Sequence, residues 1–166
     1  DNCFFWTFDP ITKMPPENRA ALEEEYGDWL AKKHGSLKKA IARWGKAGKH
    51  DNIEKGRAAI LSPWLYTPQA KASRNPKRMA DQLEFLTMLQ ADYFQYTAGW
   101  LRDKLKFRRP LVLSNWKCSY EPAVGPLDRY PAVYRPVQDH HAYWHPGHKG
   151  PGASYSLRTG QTYRDA

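Results

Sequence analysis

The chain has 166 residues, is 41% hydrophobic and 14% aromatic, and carries a formal net charge of +9; this suits one domain with its own core and is short for a two-domain enzyme. Such apolar content without a polar repeat excludes a disordered tract, and no apolar run approaches the roughly 20 residues that a membrane helix requires. The charge would suit a polyanion, but Lys32, Lys33, Lys38, Lys39, Arg43, Lys46 and Lys49 fall on or beside helical apolar stripes. They are therefore expected to form a solvated outer face, and neither nucleic acid nor membrane is the expected partner.

After the aromatic opening "CFFWTF", Pro15-Pro16 precedes a stretch in which Leu22, Tyr26, Trp29 and Leu30 recur at helical spacing. Glutamates near its start and Lys32, Lys33 and His34 before Gly35 suit the helix dipole and predict a stop at His34. Ser36 is the expected N-cap of a shorter helix with Leu37, Ile41 and Trp44 on one face, ended by Gly45. Periodicity then fades, and a loop is expected over about 46–76. From about 77 to 106 the spacing of Met79, Leu83, Leu86, Leu89, Tyr93, Thr97, Trp100 and Leu101 predicts one long helix. Two apolar runs follow, "LVLSNW" and "AVYRPVQDHHAYW", and predict strands at about 110–115 and 137–143, the second starting after Pro136. Cys3 and Cys118 match no Cys-x-x-Cys spacing and are expected to be free thiols.

The stretch "QDHHAYWHPGHKG", residues 138–150, gathers His140, His141, His145 and His148. Adjacent histidines on a strand face opposite ways, and the distal pair lies among Pro and Gly with no preset geometry, so a metal site is not expected. Loop histidines on the surface remain one reading. The other is a sugar site: a His and a Tyr two apart point the same way, and Trp144 offers a flat apolar face. Asn115 and Trp116 repeat that chemistry at the other strand end.

The segment "YGDWLAKKHGSLKKAIARWGK" resembles the stretch that follows the acid/base residue in glycoside hydrolases of clan A, above all family-42 beta-galactosidase-like enzymes. Trp29, Leu30, Lys33, Gly35, Ser36, Trp44 and Gly45 match that pattern; His34 replaces its Tyr, and Ile41-Ala42-Arg43 replaces its Asn-x-Ala. "RMADQLEFLTMLQADYFQYTAGWLRDKLKF" with "PLVLSNWK", and then "DHHAYW", are similar to later parts of the same family.

The resemblance implies an α/β chain forming part of a (β/α)8 TIM barrel, from just after strand 4 through strand 6, with a helical insertion at about 16–45 and residues 1–166 as one partial catalytic segment. It implies a fragment of a retaining glycoside hydrolase acting on O-glycosidic bonds of a poly- or oligosaccharide. Such enzymes use two carboxyl groups about 5 to 5.5 Å apart. In this register the acid/base Glu would directly precede Asp1, and no Glu follows Glu121, so neither catalytic glutamate is expected in the chain. The implied substrate-binding residues are Asn115, Trp116, His141, Tyr143 and Trp144; Tyr143 would hydrogen-bond the nucleophile. No cofactor or metal is expected. The implied partners are a carbohydrate substrate and the remainder of the barrel from the parent chain. A basic aromatic-rich nucleic-acid module and a non-catalytic carbohydrate-binding protein are the alternatives. Localisation stays open.

Overall fold

A computed structural model describes residues 13–62, 65, 75–112 and 130. Its first helix, α1 (Pro16–His34), begins with Pro at its first turn, where the missing N–H costs nothing. It ends where Gly35 turns left-handed at φ 86°, after a last turn holding Lys32, Lys33 and His34. Ser36 caps α2 (Leu37–Trp44) by accepting a hydrogen bond from the Lys39 N–H at 3.1 Å. At the other end the Gly45 N–H, at φ 100°, donates to the carbonyls of Ile41 and Ala42. The short Gly35-Ser36 connection lets α2 pack on α1, and Leu37, Ala40, Ile41 and Trp44 are all buried.

The next segment, residues 46–62, is irregular but tightly tied. Asn52 and Arg57 form an antiparallel bridge closed by Gly56 at φ 68°. The Ala58 N–H donates to the Glu23 carbonyl of α1. Ala58, Ala59 and Ile60 are buried. Gly27, inside α1, lies so close to this loop that a Cβ there would stand 1.8 Å from the Gly56 carbonyl oxygen.

The third helix, α3 (Pro76–Asp103), is capped by Asn75, whose side-chain oxygen accepts from the N–H groups of Lys77 and Arg78. The amide nitrogen of Asn75 donates to the Trp44 carbonyl at 2.6 Å, which fastens the start of α3 to the end of α2. Gln82 exchanges two bonds with the backbone of Leu61, accepting at 2.7 Å and donating at 2.8 Å. The core between the three helices and the loop contains Tyr26, Leu30, Ile41, Trp44, Met79, Phe85 and Leu86. Tyr26 is its centre, with the Phe85 ring at 4.8 Å and the Trp44 ring at 6.4 Å.

Helix α3 is longer than the helices it packs on. At about 1.5 Å per residue its 28 residues extend roughly 42 Å, against roughly 28 Å for the 19 of α1. The face that meets α1, α2 and the loop through Arg78, Asp81, Gln82 and Phe85 continues to Tyr93, Tyr96 and Trp100, which are exposed. The expected apolar stripe is therefore a core only in its first half. The helix also ends at Asp103 instead of 106, because Lys106 is left-handed at φ 55°.

The expected α/β fold is not what these residues form. Among the described residues there are three helices and no sheet, and β-type pairing is limited to isolated bridges. A barrel helix would seat its apolar stripe on strands; here α1, α2 and the loop cover the first half of that stripe instead. Of the strand expected at 110–115, residues 110–112 are described. Val112 is 47% exposed, whereas a barrel strand would bury alternate residues in the core. The barrel assignment is thereby corrected. The strand expected at 137–143 lies outside the described residues.

Candidate functional site

The most concentrated chemistry in the described residues is a polar seam through the core. It starts at the end of α1, where the dipole gathers cations. Lys33 donates to Asp81 Oδ1 at 2.9 Å and to Glu84 at 2.6 Å. His34 Nε2 lies 3.1 Å from both oxygens of Asp81, and donates to them with its proton on that nitrogen. From α2, the Trp44 indole N–H donates to Asp81 Oδ2 at 2.8 Å. One buried carboxylate thus joins all three helices.

Trp44 continues the seam through its other face. The Arg78 guanidinium stands over the ring at 4.7 Å. Arg78, 4% exposed, grips Asp51 in a bidentate pair at 2.8 and 2.7 Å and donates to the Ala59 carbonyl. Asp51 also accepts from the backbone N–H groups of Gly48 and Ala59. A second buried carboxylate, Glu23, is held by Arg19 at 3.0 Å and Arg57 at 3.2 Å.

These contacts set the ionisation of the seam. Burial alone would raise the Asp81 carboxyl, but hydrogen bonds from Trp44, Lys33 and His34, with the Lys33 charge, outweigh it and hold the group below its ordinary value. Asp51 behaves alike: desolvation opposes ionisation, and Arg78 with the Ala59 and Gly48 amides overcomes it. Burial lowers and its two carboxylate partners raise the Lys33 ammonium, with a net upward shift.

Such a site holds charge, with each donor turned toward the same carboxylate. A His–Asp pair works as a relay when the other imidazole nitrogen faces a nucleophile. Around Asp81 the neighbours are a lysine, an indole and a histidine, all donors already committed to the same carboxylate. Among the described residues no group of three or more His, Cys, Asp or Glu could hold a metal ion. An open apolar groove of about 550 Å³ runs along another side of α3, lined by Ala80, Leu83, Glu84, Thr87, Met88 and Tyr130. Among the described lining residues Glu84 is the one that is charged, and Lys33 already pairs with it.

The substrate-binding residues expected from the sequence, Asn115, Trp116, His141, Tyr143 and Trp144, lie outside the described residues, as do His140, His145 and His148. The motif residues Trp29, Leu30, Lys33, Gly35, Ser36, Trp44 and Gly45 are described, and each serves the structure, in the core, in a cap, in a turn or in the seam. Asp81, Arg78 and Asp51 were not anticipated. The available signal was that Arg78, Asp81, Gln82 and Phe85 follow at i, i+3, i+4 and i+7, a buried helical face occupied largely by polar side chains. No described helix is long and apolar enough to cross a membrane. Comparison with protein-family models, with curated proteins and with solved structures gave no match.

Proposed function

We propose that this chain is a non-catalytic part of a retaining glycoside hydrolase acting on poly- or oligosaccharide, with the helical body as scaffold. The observation in support is that the residues of the glycosidase-like segment work as one physical unit. Trp29 and Leu30 pack beside Tyr26, Gly35 and Ser36 make the turn, and Lys33 and Trp44 meet on Asp81. A segment whose parts interlock so closely is one that related chains could retain for packing alone. Its chemistry is compatible with a supporting role: Glu23, Asp51 and Asp81, the carboxylates withdrawn from water here, are each engaged by fixed cations or N–H donors. Neither a proton donor to a leaving oxygen nor a free nucleophile can be drawn from them.

The test compares this 166-residue chain with the product of the longest reading frame that encodes it, on aryl glycosides and on neutral and acidic polysaccharides. Hydrolysis with retained anomeric configuration by the longer protein, and none by the chain, is the expected result. A longer protein that cleaves none of them, or a chain that cleaves alone, overturns the reading.

A further inference from the structure

Between Trp29 and His50 the chain holds seven lysines and arginines and no acid, whereas the five acids of α1 all lie before Trp29. Lys33 is engaged by Asp81 and Glu84. The other six, Lys32, Lys38, Lys39, Arg43, Lys46 and Lys49, are exposed, and among the described residues none of them pairs with a carboxylate. On α2 the burial pattern fixes where the cations stand. Leu37, Ala40, Ile41 and Trp44 form its buried side, so Lys38, Lys39, Ala42 and Arg43 form its outer side. Lys39 reaches back over the turn from α1, its Nζ 3.6 Å from where a Cβ on Gly35 would stand, and Lys46 follows directly after the Gly45 stop. From beneath, Asp81 and Asn75 hold Trp44 and so fix the helix that carries this row.

Cations that only kept the surface in water would be placed to suit the helix, and these are not. The first turn of α2 holds Lys38 and Lys39 and no acid, against the helix dipole. Lys39 and Arg43 are also like charges four residues apart. Both placements weaken an eight-residue helix, and a polyanion laid along the outer side relieves both.

We propose that the outer side of α2, with Lys46, binds the phosphate backbone of duplex nucleic acid without reading its sequence. A duplex carries one negative charge per about 1.7 Å of its axis, so a fixed row of cations on a helix roughly 12 Å long meets several phosphates at once. The same side has no aromatic ring on which an unpaired base could stack, and no Asn or Gln to read a base edge. Its one apolar residue, Ala42, is too small to anchor in lipid, which disfavours a membrane surface. The inference rests on the placement of charge and is independent of the glycosidase reading.

The experiment measures binding of the full 166-residue chain to two short DNA duplexes of unrelated sequence, to oligothymidylate and to phosphatidylserine vesicles, each over a range of salt. The two duplexes should bind alike, and more tightly than oligothymidylate or vesicles. With Lys38, Lys39, Arg43 and Lys46 on phosphates, the logarithm of the binding constant should fall against that of salt with a slope of about −3.6. Lys39→Gln with Arg43→Gln should reduce that slope by about 1.8 and weaken duplex binding roughly 60-fold at about 0.1 M salt. The same variant should keep or raise the thermal unfolding midpoint, because it removes a like-charge pair and a first-turn cation. Arg108→Gln with Arg109→Gln, exposed beyond the far end of α3 from α2, should change duplex binding by no more than about twofold. Tighter binding of oligothymidylate or vesicles, strong preference for one duplex, no duplex binding, or an equal loss from the Arg108/Arg109 variant would each overturn the proposal. A lowered unfolding midpoint in the Lys39/Arg43 variant would overturn it too, by giving those cations a structural role.

Discussion

Asp81 is the residue on which the three helices agree, and its replacement is the most direct test of the seam. Its side chain is 5% exposed, with Lys33, His34 and Trp44 all donating to it. Asp81→Ala removes the acceptor and leaves a partly buried ammonium and an indole N–H unpaired. A loss of about 3–5 kcal/mol in urea unfolding is expected. The pH dependence follows from the same contacts. Asp81 and Asp51 both have carboxyl groups lowered from 3.8 by folding. Their stabilisation is therefore fully present above pH 3.8 and is lost as pH falls below it through the folded values. Lys33 acts at the opposite end: raised above 10.5, it stabilises below that pH and its share is lost as pH rises through its folded value. Acid titration of Asp81→Asn should show a shallower loss than wild type, and identical acid curves would remove Asp81 from the linkage. Gln90 poses the reverse problem. It is 3% exposed and neither end of its amide has a hydrogen-bond partner among the described residues. Gln90→Met keeps the volume and removes the unsatisfied groups, so a gain of about 1–2 kcal/mol is expected; a clear loss of stability would mean that the amide is in fact satisfied.

Among the elements, the helix ends were the easiest to foresee. The cationic last turn before Gly35, the Ser36 cap and the Gly45 stop are local backbone chemistry, and α1 and α2 keep to them. The end of α3 was not, because its apolar pattern runs on past the point where Lys106 turns left-handed. A non-glycine residue there costs roughly 1 kcal/mol relative to glycine. Lys106→Gly should consequently raise the unfolding free energy by up to that amount, and a lowered stability would show that the lysine side chain stabilises the turn. Gly27 was equally hidden. A glycine inside a helix reads as a mild weakness, and only the approach of the Gly56 carbonyl explains it. Gly27→Ala should push the 52–57 loop away from α1 and cost about 1–3 kcal/mol or more, despite alanine being the better helix former. A stabilised Gly27→Ala protein would contradict the contact.

At the scale of the whole molecule, periodicity revealed that α1, α2 and α3 each bury a face but not what each face meets. An apolar stripe on Met79, Leu83 and Leu86 fits a sheet or another helix equally well, so the step from stripe to barrel helix had no support in the spacing itself. The polar partners carry that missing information, since Asp81 must meet Trp44 and Lys33, and Arg78 must meet Asp51. This makes cooperativity the quantity that separates a single helical body from three loosely docked elements. Lys33 on α1 and Asp51 in the loop make no direct contact, yet they are linked through Asp81, Trp44 and Arg78. Independent sites add within about 0.5 kcal/mol, whereas members of one network deviate by about 0.5–3 kcal/mol. A double-mutant cycle of Lys33→Met and Asp51→Asn, followed by urea unfolding, should show a coupling in that upper range. In a Trp44→Phe background, where the indole donor that joins the two halves is gone, the coupling should fall to the additive limit. Additivity already in the wild-type background would mean that the Asp81 and Asp51 clusters are separate fastenings, and the seam would no longer describe how this body holds together.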